Sequence, residues 1–260
     1  MNTAEQKLLS PLCAPFFLKG GGHAILMIHG FTGSPAHMLK MAKSLNAQGF
    51  TVCGVRLTGH GTTIEDMLKA SWRDWDKDVR QRLIELLSLY PHVSVCGLSM
   101  GGVLTLIMGE DYSDKLCACV SLAAPTDTKA RFRHLAPLVG LFVPVAPKKN
   151  RSAASKMLDP EYDIGYHQTP YAKTHDLNVL MGRANRHLKN LTCPLLAVQS
   201  HKDQTISADS LDTICAGVSS KNLQKMWLDE SPHVITITKE TDLVLDKMVA
   251  FLRNAEKQQP

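Results

Sequence analysis

One serine in this chain is bracketed by glycines. Gly97-Leu98-Ser99-Met100-Gly101 follows a strand-like run and opens a helix-like one. In that context G-x-S-x-G holds a nucleophile on a sharp strand-to-helix turn. Such a turn strains the serine backbone and leaves no room for side chains two residues away on either side. It lifts the hydroxyl to the top of the sheet. It also sets a helix N-terminus beneath it, where unpaired N–H groups and the helix dipole favour a developing anion. The competing reading is a serine that only caps a helix.

A serine hydroxyl is a weak nucleophile near neutral pH. It needs a general base, and the base needs an orienting acid. A nucleophile on this kind of turn takes first its acid and then its histidine from later in the chain. Asp203, in AVQSHKDQTIS, stands just past an apolar strand, and His233, in DESPHVITI, just past the last one. Both fall at carboxyl ends of strands, the edge that carries Ser99. Asp127, after the fourth strand, is the competing acid, whereas Glu230 is too near His233 in sequence to orient it. His201 precedes Asp203, the wrong side for this order. His134, His167, His175 and His187 read as surface or pocket-lining residues.

A tetrahedral intermediate needs N–H donors where its oxyanion forms. The amide of Met100, next after the nucleophile, is one. The loop His29-Gly30-Phe31-Thr32-Gly33-Ser34, after the first strong strand, is expected to give the other. There Gly30 lets the chain turn and Phe31 N–H donates; a plain strand-to-helix turn is the alternative. His29 is expected to fix the loop by hydrogen bonding rather than to move protons. Gly30 and Phe31 would also line the substrate site.

These residues need a sheet whose strand ends bring them together. HAILMIHG (23–30) is a continuous apolar run, as expected of a strand buried on both faces. FTVCGVRL (50–57), VSVCGL (93–98), LCACVSLAAP (116–125), CPLLAVQSHKD (193–203) and LQKMWLDES (223–231) are further strands. Helical spacing predicts helices over 35–48, 71–90, from Gly101 through GGVLTLIMGEDY, over 207–216 and over 239–255. TGHGTT reads as a loop. From Pro125 to Lys189 no clear strand occurs, and the stretch reads as a helical insertion. Alternating strands and helices predict a mostly parallel sheet with helices on both faces. The insertion would sit above the carboxyl ends of the strands, where such sheets bind ligands. The expected division is a core of 1–124 and 190–260 with a cap at 125–189.

Composition is that of a globular chain: 260 residues, 44% hydrophobic and 20% charged. A net charge of +5 without a basic run interleaved with aromatics argues against nucleic-acid binding. Seven cysteines, odd in number and without a CxxC pair, read as buried thiols of a reducing compartment. The N-terminus lacks a signal-peptide pattern and no apolar run is long enough to span a membrane, so a cytoplasmic protein is expected. The sequence offers no reading of oligomeric state.

HGFTGSP, RLTGHGTT, SWRDWDKDV, GLSMGG, HKD and SPHVITI together resemble the small bacterial carboxylesterases and monoacylglycerol lipases of the α/β-hydrolase fold. The resemblance covers nearly the whole chain. It is most specific at HGFTGSP, GLSMGG and SPHVITI and thins from Pro125 to Ala184. It implies an ester hydrolase that needs no metal or other cofactor. It also implies Ser99, Asp203 and His233 as triad, Phe31 and Met100 as oxyanion donors, and a small cap that shapes the acyl pocket. Phe132, Leu135, Leu138, Val139, Leu141, Phe142 and Val143 are spaced as an amphipathic cap over an apolar acyl site, or as the insertion's own small core. Leu135 and Leu138 are the substrate contacts expected there. Short to medium acyl esters are the expected substrates, with longer monoglycerides as the alternative. Amide or carbon–carbon bond hydrolysis on the same triad, and a non-catalytic binding protein, are further readings.

Overall fold

The computed structural model describes residues 10–127, 143–147 and 156–258 of the chain. Seven strands form one sheet: β1 (Phe16–Leu18), β2 (His23–Ile28), β3 (Thr51–Val55), β4 (His92–Leu98), β5 (Ala118–Leu122), β8 (Leu195–Ser200) and β9 (Leu223–Leu228). Their order is β1-β3-β2-β4-β5-β8-β9. Every pairing is parallel except β1 with β3. The sheet is mostly parallel with helices on both faces, as the alternating pattern predicts, and agrees with the α/β-hydrolase fold that the motif resemblance implies.

Alternation along β2 divides the core into two layers. Ile25 and Met27 face α1 (Ala36–Ala47) and α7 (Thr241–Gln258), packing with Met38, Met41, Leu45, Val244, Met248 and Phe251. Ala24, Leu26 and Ile28 face the other layer, α3 (Trp72–Leu89), α4 (Met100–Tyr112), α5 (Thr174–His187) and α6 (Ser210–Gly217). With both faces covered, all six residues of β2 are buried, which is why the strand reads as an unbroken apolar run.

Three elements differ from expectation. β1 is an edge strand of three residues, too short to show a period; Phe16 lies over Gly54, where a Cβ would stand 2.2 Å from its ring. After the 57–63 loop comes the short helix α2 (Ile64–Lys69), capped by Thr63, whose hydroxyl accepts the Asp66 amide. In the 125–189 stretch, Ala146–Pro147 (β6) and Gln168–Thr169 (β7) pair as a two-residue antiparallel ribbon. Strand ends also come earlier than the apolar runs suggest. β5 stops where Ala123 takes a φ of 47°, and β9 stops where Asp229, Glu230 and Ser231 turn their amides to the Glu240 carboxylate.

The end of that stretch, α5, packs against α3 and α4 and buries Leu180, Met181 and Ala184. Asp176 of α5 accepts the Trp72 amide at the start of α3, and Arg183 reaches Asp76 and Asp111. Residues 158–166 instead lie across the strand ends. Ser34 Oγ donates to Ile164 O at 2.8 Å, and Tyr166 N donates to Thr32 O at 2.8 Å. All seven cysteines are thiols, six of them buried. No helix among the described residues is long and apolar enough to cross a membrane.

Candidate active site

Ser99 sits between β4 and α4 with φ 57° and ψ −118°, a conformation that L residues rarely adopt. The flanking glycines are required by contact. A Cβ on Gly97 would stand 2.0 Å from Gly101 O, and one on Gly101 2.2 Å from Ile28 O. The Ser99 amide is held by Leu122 O at 2.8 Å. The turn is thus hydrogen-bonded to the end of β5 and packed against the end of β2.

The structure brings Asp203 and His233 to the same edge. His233 Nε2 lies 2.8 Å from Ser99 Oγ, and His233 Nδ1 lies 2.6 Å from Asp203 Oδ2. With Asp203 as acceptor, Nδ1 carries the ring proton and Nε2 is free to accept from the serine. Asp203 is buried, and its other oxygen accepts the amides of Thr205 at 2.8 Å and Ile206 at 3.3 Å. Burial alone would raise this carboxyl; His233 and the two amides outweigh it and hold the pKa below its usual value. The group stays ionised at neutral pH.

The competing residues go elsewhere. The acid beside His233 is Asp203, while Asp127 accepts the Ser207 amide through its backbone carbonyl. The His201 ring stacks on Trp227 with centroids 4.3 Å apart. Glu230 is exposed.

The 29–34 loop closes as a turn, with Gly33 N donating to Gly30 O at 3.1 Å and Thr32 at φ 61°. Only the fourth residue of such a turn spends its amide on the turn itself, which leaves Phe31 N–H outside it. Gly30 abuts Ser99: a Cβ there would stand 3.2 Å from Ser99 Cβ. The Met100 amide opens α4 and has no acceptor within the helix. His29 is wholly buried, donating from Nδ1 to Gly30 O and accepting the Leu57 amide at Nε2. Burial and the neighbouring His60 push its pKa well below the usual histidine range, so it is a neutral brace. Leu135, Leu138 and the other residues from Phe132 to Phe142 that were expected to form a cap lie outside the described residues.

Sequence reasoning missed the parts that hold these loops. Ser200 Oγ donates to Ser231 O and accepts the Lys202 amide, tying the Asp203 loop to the His233 loop. Glu240 gathers the Ser231 hydroxyl and three amides on the approach to His233. Tyr166 reaches Gly59 O and Thr63 O with its hydroxyl. The Ser200–Ser231 and Tyr166 contacts join residues 31 to 107 positions apart, and the Glu240 contacts span a loop, so none leaves a periodic pattern.

The family model described as Serine aminopeptidase, S33 (Hydrolase_4) matches residues 22–242. The chain belongs to that family. It is a serine hydrolase of the α/β-hydrolase fold, and the resemblance drawn from its motifs is borne out. Over 238 residues it is 32% identical to the thermostable monoacylglycerol lipase of Bacillus sp. (strain H-257), covering 91% of this chain and 93% of that one. It is 29% identical to the carboxylesterase of Bacillus subtilis (strain 168) over 254 residues, 96% of this chain and 99% of the other. Among solved structures, one from the metagenome-derived lipolytic enzymes LipS and LipT superposes with a TM-score of 0.88. Its sequence is 27% identical, and the match covers 94% of this chain and 98% of that one.

Proposed function

We propose that this S33 hydrolase is a carboxylesterase that cleaves esters of short to medium acyl chains through an acyl-enzyme. The observation that carries the reading is the hydrogen-bonded series Ser99 Oγ, His233, Asp203, aligned on a strained turn at the strand ends. His233 takes the hydroxyl proton as Ser99 Oγ attacks the ester carbonyl. The amides of Phe31 and Met100 receive the oxyanion. His233 then protonates the leaving alcohol, and Ser99 keeps the acyl group. Water repeats the sequence, with His233 again as base, and releases the acid. Asp203 fixes the Nδ1–H tautomer and stabilises the imidazolium in both halves.

Residues 125–189 are proposed as the cap over a core of 1–124 and 190–260, with Gly30, Phe31, Leu135 and Leu138 toward the substrate. The passage of 158–166 over the strand ends supports this placement. Seven thiols and no disulfide suit a cytoplasmic location.

The test is hydrolysis of p-nitrophenyl esters from acetate to palmitate, with Ser99→Ala in parallel. A Ser99-dependent maximum at short or medium chains supports the carboxylesterase. Similarity to a monoacylglycerol lipase favours a second reading, cleavage of longer monoglycerides. A maximum at the long esters together with monoglyceride turnover would select it. A folded Ser99→Ala variant with wild-type turnover would refute both.

A further inference from the structure

The proposed oxyanion turn is supported from below by a second loop. After β3 the chain runs Leu57-Thr58-Gly59-His60-Gly61, and the His60 amide closes onto Leu57 O at 2.9 Å. His60 is completely buried among three other rings. Its centroid lies 5.0 Å from His29, 5.4 Å from Trp75 and 6.3 Å from Phe31, the last two edge-on. Trp75 in turn meets Phe31 edge-on at 5.9 Å. Such contacts are directional and favour one placement of each ring.

The cluster is tied to backbone on every side. His60 Nδ1 donates to Thr58 O at 3.3 Å, and Trp75 Nε1 donates to the same oxygen at 3.0 Å. Leu57 N donates to His29 Nε2 at 3.2 Å. Gly61 lies close beneath the end of the 29–34 loop; a Cβ on it would stand 3.4 Å from Ser34 Cβ. His60 Nε2 finds no hydrogen-bond partner among the described residues, so the ring is held through Nδ1 and its packing.

We propose that His60 is a positioning residue for the reaction, whose ring, backed by Trp75, sets the Phe31 backbone so that its amide meets the oxyanion. The proposal rests on the reading of Phe31 N–H as an oxyanion donor. Burial keeps the His60 pKa at about 4, so the ring is uncharged at neutral pH and brings no charge to the site. A displaced donor weakens the transition state and leaves ground-state ester binding largely unchanged.

The experiment compares His60→Ala and His60→Phe with wild type. Active sites are first counted with a fluorophosphonate, so that unfolded material drops out of every rate. His60→Ala is expected to lower kcat about ten- to a hundredfold with KM within about twofold. Affinity for a trifluoromethyl ketone, which forms the tetrahedral adduct, should fall by the same factor as kcat/KM. His60→Phe keeps a ring against Phe31 and should recover most of kcat, while losing stability with the Thr58 bond.

A His60→Ala enzyme with wild-type kcat per titrated site would overturn the proposal. So would a fall in kcat without a matching loss of ketone affinity, or a folded His60→Phe variant as slow as His60→Ala. If His60→Ala yields no titratable protein, Trp75→Phe removes the Thr58 bond from the other side and keeps a ring behind His60. The proposal then requires a smaller, parallel fall in kcat and ketone affinity; unchanged values would refute it. Residual turnover in Ser99→Ala would instead show that the underlying reading is at fault.

Discussion

Replacing Ser99 by glycine should destroy turnover and stabilise the fold relative to Ser99→Ala. Serine at φ 57° and ψ −118° holds a backbone region natural to glycine. Strain of this kind costs about 1–3 kcal/mol. Alanine has the same Cβ, so it inherits the strain. Glycine relieves it but frees the unfolded chain, which returns about 0.4–1 kcal/mol. Both variants lose the bond to His233, so the difference between them isolates the backbone. The net expectation is about 1–2 kcal/mol in favour of Ser99→Gly. For 260 residues the unfolding entropy is roughly 0.5 kcal/mol per kelvin, so the midpoint should rise by about 2–4 °C. Paired guanidinium titrations at neutral pH, with thermal melts alongside, would measure it. A Ser99→Gly protein no more stable than Ser99→Ala would refute the claim that the turn stores strain.

Three further outcomes are expected. Gly101→Ala should leave little folded protein, because its Cβ would press on Ile28 O at 2.2 Å; soluble yield and circular dichroism test this, and a normally folded variant would contradict it. His60, His29 and His23 are held neutral chiefly by burial, so their folded pKa values lie below the unfolded value of about 6.5. Their contribution is complete above that pH and is lost progressively as pH falls below it. His60 alone accounts for about 2 kcal/mol between pH 7 and pH 5, so wild-type denaturation midpoints should drop over that range and those of His60→Phe should drop less. Glu110 behaves oppositely. Burial, with Asp111 adding, raises its carboxyl to about 8, and its Oε1 has no hydrogen-bond partner among the described residues. Stability from this group is present below about 4.5 and lost as pH rises through 8, so Glu110→Gln should be more stable than wild type at pH 9 and nearly equal at pH 5. Equal midpoints at pH 9 would count against it.

Much of the site was legible because its logic is local or ordinal. Strands buried on both faces leave continuous apolar runs, as at 23–28, and their ends locate the edge where ligands bind. The elbow announces itself because Gly97 and Gly101 are spaced by the turn they permit. Asp203 and His233 follow from standing at strand ends in the required order. The sequence favoured Asp203 and left Asp127 as the competing acid. That choice depends on which strand end lies opposite the last loop, and only the packing of β8 beside β9 decides it. The sequence could not show that α5 packs on α3 and α4, or that Glu240, Ser200, Tyr166 and the His60–Trp75 pair brace the site loops. Those contacts join residues on separate elements, some of them more than a hundred positions apart. Periodicity and spacing record what a segment does with its own neighbours; an aromatic ring that braces a distant turn acquires its role only when the sheet brings the two together.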